Sequence, residues 1–87
     1  MTAFESSEAR RRRLLWRASH RGIKEMDLIL GRFAAARIFR MNEAELAELE
    51  IIVEIPDQEL LAWATRTAEI PAQHRSALLL EMLEHRS

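Results

Sequence analysis

Residues 41–57, MNEAELAELEIIVEIPD, carry the clearest local signature in the chain. Asn42 can accept from the backbone N–H of Glu45, and the Glu45 side chain can reach back to the backbone of Asn42, which makes a capping box. Met41 and Leu46 flank that start as a hydrophobic staple. Leu46, Leu49, Ile52 and Val53 then recur at helical spacing, and the alternation of a half-buried strand is absent. Ile55-Pro56 stops the helix, because the residue before a proline disfavours helical backbone. Asp57 is expected to cap the helix that follows.

Outward from this segment the same period continues. Leu60, Leu61, Trp63 and Ala64 mark a fourth helix that stops before Pro71. Pro71 is expected at or just before the start of a fifth helix bearing Leu78, Leu79, Met82 and Leu83. Upstream, Met26, Ile29, Leu30, Phe33 and Ala36 mark a second helix ending near Phe39 or Arg40, in which Gly31 signals a close helix contact. A first helix starts near Ser6 or Ser7, either of which can cap it, with Glu8 suited to its first turn. It runs through Leu15, Trp16 and Ala18 and breaks at Ser19-His20-Arg21-Gly22. Gly22 is expected to close that helix in the left-handed conformation that glycine tolerates. The fold class that follows is all-α: one compact domain over residues 1–87, a bundle of about five short helices, with residues 1–6 a flexible N-terminus.

A chain of 87 residues can fill only one core. Its 48% hydrophobic and 31% charged content is that of a folded domain. With no cysteine, disulfides, thiolate metal sites and cysteine nucleophiles are excluded. No apolar run approaches the roughly 18 to 20 residues of a membrane span, and Met1 to Glu8 lacks the apolar centre of a signal peptide. Glu5 and Glu8 argue against a mitochondrial transit peptide. A bacterial cytoplasmic location is the expectation, without membrane insertion.

The net charge of -1 conceals a segregated pattern. Arg10, Arg11, Arg12, Arg13, Arg17, Arg21 and Lys24 follow one another with no acid between them. From Met41 to Thr65 the sign inverts, with Glu43, Glu45, Glu48, Glu50, Glu54, Asp57 and Glu59 and no Lys or Arg. The expectation is a basic end and an acidic end able to orient a charged partner, against the plainer reading of two solvated helix faces.

Signals for chemistry are sparse. His20, His74 and His85 have no HxxxH or HExxH spacing, so no metal site is expected. Gly22 and Gly31 are isolated and form no phosphate loop, and no nucleophile motif is present. No catalytic and no cofactor-binding residue is assigned. What stands out is the junction of the first two helices: Arg21 and Gly22 in the connection, Glu25 in the first turn of helix two, and Asp27 just after. Such an acid can serve the helix dipole, and the arginine beside it can simply pair with it, for about 0 to 1 kcal/mol. Trp63 lies on a clear apolar face and is assigned to the core. Trp16, among Arg13, Arg17 and His20, could belong to an interface, although the core reading is preferred.

The stretch from Arg13 to Asp27, RLLWRASHRGIKEMD, resembles the SdhE-type succinate dehydrogenase assembly factors, or flavinators, whose hallmark is an RGxxE motif preceded by a tryptophan. The hallmark falls on Arg21, Gly22 and Glu25. Phe33 and the block Asp57-Gln58-Glu59-Leu60-Leu61-Ala62-Trp63 are similar to that family's second signature, so the resemblance extends from Arg13 to Trp63. His20 stands where many members carry a further arginine. The resemblance implies a five-helix bundle that binds the flavoprotein subunit of succinate dehydrogenase, with that of fumarate reductase a second candidate. It implies promotion of covalent FAD attachment to a histidine of that subunit, with no FAD held stably by this chain and no catalysis of its own. It also implies departure before the mature complex forms. The residues expected to meet the partner are Arg21, Gly22, Glu25, Arg17, Trp16, Arg13 and Asp27, on a protein that is monomeric when free. The basic end around Arg17, Arg21 and Lys24 would dock on acidic surface while Glu25 pairs with a cation. Holding a partner in competent geometry can accelerate its reaction without chemistry by the holder.

Two other readings compete. The Arg10–Arg13 run suits a small nucleic-acid-binding module, against which stand the slightly acidic total and the acidic third and fourth helices. A helical adaptor for an unrelated protein fits the physical features equally, and the motif combination argues against it.

Overall fold

The Ser6 hydroxyl accepts from the backbone N–H of Ala9 at 3.0 Å and caps the first helix, α1, Ser7–Ser19. The computed structural model describes residues 6–85. Of the segment expected to be flexible, residues 1–5 lie outside the described residues, and Ser6 is a helix cap. α2 spans Lys24–Arg37 and tightens into a 3-10 turn, Ile38–Arg40. α3 is Glu43–Ile52 and α4 is Asp57–Ala64; a second 3-10 turn, Ala72–His74, precedes α5, Ala77–Glu84. Among the described residues there are five α-helices and no strand.

The capping box forms as the sequence predicts. Glu45 N–H donates to Asn42 Oδ1 at 2.8 Å, and Asn42 N–H donates to Glu45 Oε1 at 3.0 Å. Met41 and Leu46, the staple pair, are both buried. Gly31 sits against α1: a Cβ there would lie 3.1 Å from Ser19 Oγ and 3.2 Å from Ser19 Cα. The helix contact inferred from that glycine is therefore the α1–α2 crossing.

Four expectations are corrected. Gly22 is not a left-handed cap, since no glycine has positive φ; α1 has already ended at Ser19, with His20 as its C-cap in non-helical backbone. Asp57 does not cap α4, because Pro56 holds the cap position without a side-chain bond and the Asp57 carboxylate is turned to another use. Pro71 does not begin α5. It heads the 3-10 turn, and Ser76 caps α5 by accepting from Leu79 N–H at 3.1 Å. Ala36 is exposed, and Ala34 takes the buried place, because Ala34 falls on the helix face shared with Leu30 and Phe33.

α4 ends well before Pro71 for a backbone reason. Arg66 adopts φ 62°, the Thr67 N–H bonds to the Ala62 carbonyl at 2.8 Å, and the Arg66 N–H bonds to the Trp63 carbonyl at 3.2 Å. These two bonds are a Schellman closure with arginine where glycine usually stands. The link from this closure to α5 borders an open cleft of about 550 Å³ lined by Trp63, Arg66, Ile70, Arg75, Leu80 and Glu84.

All five helices contribute to one core. Leu14 and Ala18 meet Met26, Leu30, Phe33, Leu46, Leu49, Ile52, Leu60, Trp63, Leu79 and Met82 in a single cluster. Full burial of one such large aliphatic or aromatic side chain stabilises by about 1.5–3 kcal/mol. No charged or polar residue is fully buried among the described residues. The polar junctions therefore lie at the rim of this core, where helix ends meet.

Candidate functional site

The segregated charges of the sequence face one another in space. Arg10 grips Glu50 with two parallel bonds, Nε to Oε2 at 2.9 Å and Nη2 to Oε1 at 2.8 Å, and also pairs with Glu43. Arg17 Nη2 reaches Glu54 Oε2 at 2.5 Å, and Arg21 Nε reaches Asp57 Oδ1 at 2.6 Å. Arg10 and Arg17 share one face of α1 and Arg21 follows in the connection, while Glu50 lies on α3 and Glu54 and Asp57 follow at its exit. The expected basic end and acidic end are thus corrected: the two segments lie against each other and neutralise locally. The donation from Arg10 is the main reason the Glu50 carboxyl is held below the usual range, with burial opposing; the same bond, then that to Glu43, raises Arg10. Arg11 is also engaged, through Nη1 to the carbonyls of Ile38 and Met41, and Arg12 pairs with Glu8.

The junction of α1 and α2 is tied to the exit of α3 by one arginine. The Arg21 side chain is only 9% exposed, and that of Asp57 17%. Beyond its bond to Asp57, Arg21 donates from Nη1 to the Val53 carbonyl at 2.8 Å and from Nη2 to the Ile55 carbonyl at 2.9 Å. Those carbonyls belong to the end of α3 and the turn after it, where backbone acceptors lack helical partners. The other Asp57 oxygen, Oδ2, accepts the Gly22 N–H at 2.9 Å, and the Arg21 N–H donates to Asp27 Oδ1. A planar guanidinium with a fixed fork of donors suits such a junction, and a lysine could not span it.

The residues assigned to the partner surface therefore separate. Arg21, Gly22 and Asp27 come together with Asp57, and the Arg21 guanidinium is turned into the protein, with Asp57 and not Glu25 as its acid. Glu25 is exposed in the first turn of α2 and makes no hydrogen bond or ion pair among the described residues. Trp16 is 61% exposed, which overturns the preferred core reading; Trp63, at 6%, is core. The Trp16 indole stacks on His20, with ring centroids 4.2 Å apart and planes 12° from parallel. His20 is oriented by a 2.8 Å bond between Nδ1 and the Trp16 carbonyl. Arg17 flanks them, occupied by Glu54, and Arg13 lies close enough to Glu50 to help lower it.

Two features of this geometry escape the sequence reading. Asp57 is an anchor for the motif, where the sequence suggests a cap, and Glu54 is the partner of Arg17. Only part of this is legible in the spacing: Arg10 and Arg17 fall on one helical face and Glu50, Glu54 and Asp57 recur every three to four residues, but the two sets are out of step with each other, so their pairing does not follow from the sequence. Among the described residues no group of three or more His, Asp or Glu side chains could hold a metal ion, and no helix is long and apolar enough to cross a membrane.

Fold and junction define a small helical bundle that fastens its arginine motif internally while leaving the motif acid and a tryptophan on its surface. Residues 12–87 match the family model described as flavinator of succinate dehydrogenase, and the chain belongs to that family. It is 39% identical over 82 residues to the FAD assembly factor SdhE of Acetobacter pasteurianus, covering 94% of this chain and 75% of that protein. It is 31% identical over 78 residues to a mitochondrial succinate dehydrogenase assembly factor 2 of Dictyostelium discoideum, covering 90% of this chain and 55% of that protein. Against the factor of the same name from Saccharomyces cerevisiae the identity is 35% over 83 residues, covering 92% and 51%. The chain thus spans about half the length of these two mitochondrial relatives.

Proposed function

We propose that this protein is an FAD assembly factor that binds the flavoprotein subunit of succinate dehydrogenase and promotes covalent attachment of FAD to it. The observation that carries this reading is the family match over residues 12–87, which spans the whole Arg21–Asp57 junction. Two exposed side chains support the docking surface: Glu25, unpaired among the described residues, and the Trp16 indole. An unpaired acid keeps its charge available to a partner cation, and an exposed aromatic ring supplies contact area at low entropic cost. Arg17 and Arg13 flank the indole, and Arg21, Gly22 and Asp27 hold the connection. The factor supplies geometry, and the reacting groups belong to FAD and the flavoprotein.

The finer terms of the reading are these. The protein has no catalytic residues of its own and holds no FAD stably; it is monomeric when free and works in the bacterial cytoplasm. The flavoprotein of fumarate reductase is a second client. The nucleic-acid reading rested on the Arg10–Arg13 run, and the engagement of Arg10, Arg11 and Arg12 by internal partners removes that support.

The test is co-expression with the flavoprotein subunit from the same genome, with covalent flavin read by fluorescence in a denaturing gel. Flavin incorporation is expected to rise with the native chain and to fall with Glu25→Ala, whose melting temperature should stay within about 4 °C of the native one, as for an exposed side chain without partners. Unchanged incorporation with both proteins folded and present would overturn the assignment.

A further inference from the structure

We infer that Asp57, from the segment DQELLAW far along the chain, is the positioning residue that sets Glu25 for partner contact. This deepens the assembly-factor reading and rests on it. α2 begins at Lys24, and its cap residue Ile23 offers no side-chain bond to the free N–H groups. The start of α2 is tied to the connection by its own Asp27, whose Oδ1 accepts the Arg21 N–H, and from outside the helix by Asp57. Asp57 bridges the two residues before the helix: Oδ1 takes Arg21 Nε at 2.6 Å and Oδ2 takes the Gly22 N–H at 2.9 Å. Gly22 lies three residues before Glu25, less than one helical turn, so a shift in its backbone moves Glu25 directly.

The frame behind Asp57 is firm. It is the first residue of α4, where a negative charge is favoured by the helix dipole. The same Arg21 that it grips is bonded to the Val53 and Ile55 carbonyls, which fixes the guanidinium against the exit of α3. With its side chain 17% exposed and both oxygens engaged, Asp57 has little to offer a partner directly. The motif acts in two parts: Arg21 and Gly22 fasten to Asp57, and Glu25 makes contact. The second part depends on the first, because a displacement of about 1 Å in a positioned group can cost up to a hundredfold in rate.

The experiment uses the full chain as Asp57→Asn, as Glu25→Ala and as the double variant. Three quantities are measured: the Kd for the purified flavoprotein subunit, amide exchange at residues 21–27, and thermal melting. Asp57→Asn is expected to raise Kd about tenfold, a coupling of ordinary size between contacting groups. It should speed exchange at the Gly22 amide, whose acceptor is Asp57, while core amides such as that of Leu49 stay protected. The double variant should bind no more weakly than Glu25→Ala alone, since a positioning residue has nothing left to position. Multiplying losses in the double variant, or an unchanged Kd with Asp57→Asn, would overturn the inference. Should Asp57→Asn fail to fold, Asp57→Glu is read by the same criteria, since it keeps the charge but displaces the carboxylate. If the native chain itself does not bind the flavoprotein, the assembly-factor reading fails separately. Exchange then decides the positioning claim: faster Gly22 exchange in the variant upholds it and unchanged exchange overturns it.

Discussion

Two connections in this bundle solve the end of a helix in opposite ways. After α1 the chain carries a glycine without positive φ, and the connection is held by side chains, Asp57 from the far side of the α3–α4 turn and Asp27 from α2. After α4 the chain needs a left-handed residue, supplies Arg66, and closes with its own backbone bonds. The first connection depends on distant side chains; the second depends on its own backbone. A glycine in a sequence marks permission for an unusual conformation, and the structure need not use it.

The largest test of this contrast is Arg21→Ala. It leaves the Val53 and Ile55 carbonyls and Asp57 Oδ1 without their side-chain donor at a site that is mostly shielded from water, and is expected to cost about 3 kcal/mol. Urea titration monitored by far-ultraviolet circular dichroism would read it. A loss below about 1 kcal/mol would place this junction among the exposed ion pairs such as Arg17–Glu54.

At the other connection the change should have the opposite sign. Arg66→Gly relieves the left-handed penalty of a side chain that is 82% exposed and only loosely paired with Glu84 at 3.5 Å. A gain of about 0.5–1 kcal/mol is expected, offset in part by the greater freedom of glycine in the unfolded chain. A stability loss would mean that Arg66 contributes through the cleft it borders more than it costs through its backbone.

The smallest effect belongs to Gly22→Ala. Its φ is not positive, and an added Cβ would meet Asp57 Oδ2 at 3.7 Å, an ordinary contact. Stability is expected to stay within about 0.5 kcal/mol of the native chain by the same titration. A drop of 2 kcal/mol or more, on the order of an overpacked site, would show that the close approach of the connection to Asp57 has no room to give.

Legibility in the sequence followed the range of the interaction. The α3 start was readable because Asn42, Glu45, Met41 and Leu46 lie within one turn of each other, and local bonds do not depend on the rest of the fold. Gly31 was readable as a close contact, although its partner Ser19 was not. The failures lie where a side chain left its local role for a distant one. Asp57 has the form of a cap but spends its oxygens on Arg21 and Gly22, and Pro56 stands in the cap position instead. Trp16 and Trp63 both sit on helices beside leucines in the sequence, yet one is exposed and the other buried, because burial depends on which face of a helix the other helices cover.

The sequence by itself determined that the chain is all-helical, where most helices begin, and which family it belongs to, because capping patterns, apolar periods and motifs are short-range and survive in one dimension. Only the tertiary structure decided that the arginines of α1 meet the acids of α3, and that Arg21 turns inward while Glu25 is left free. The reason is physical: charge pairing in water is weak until packing brings helices together, so its pattern is set by the core that forms beneath it.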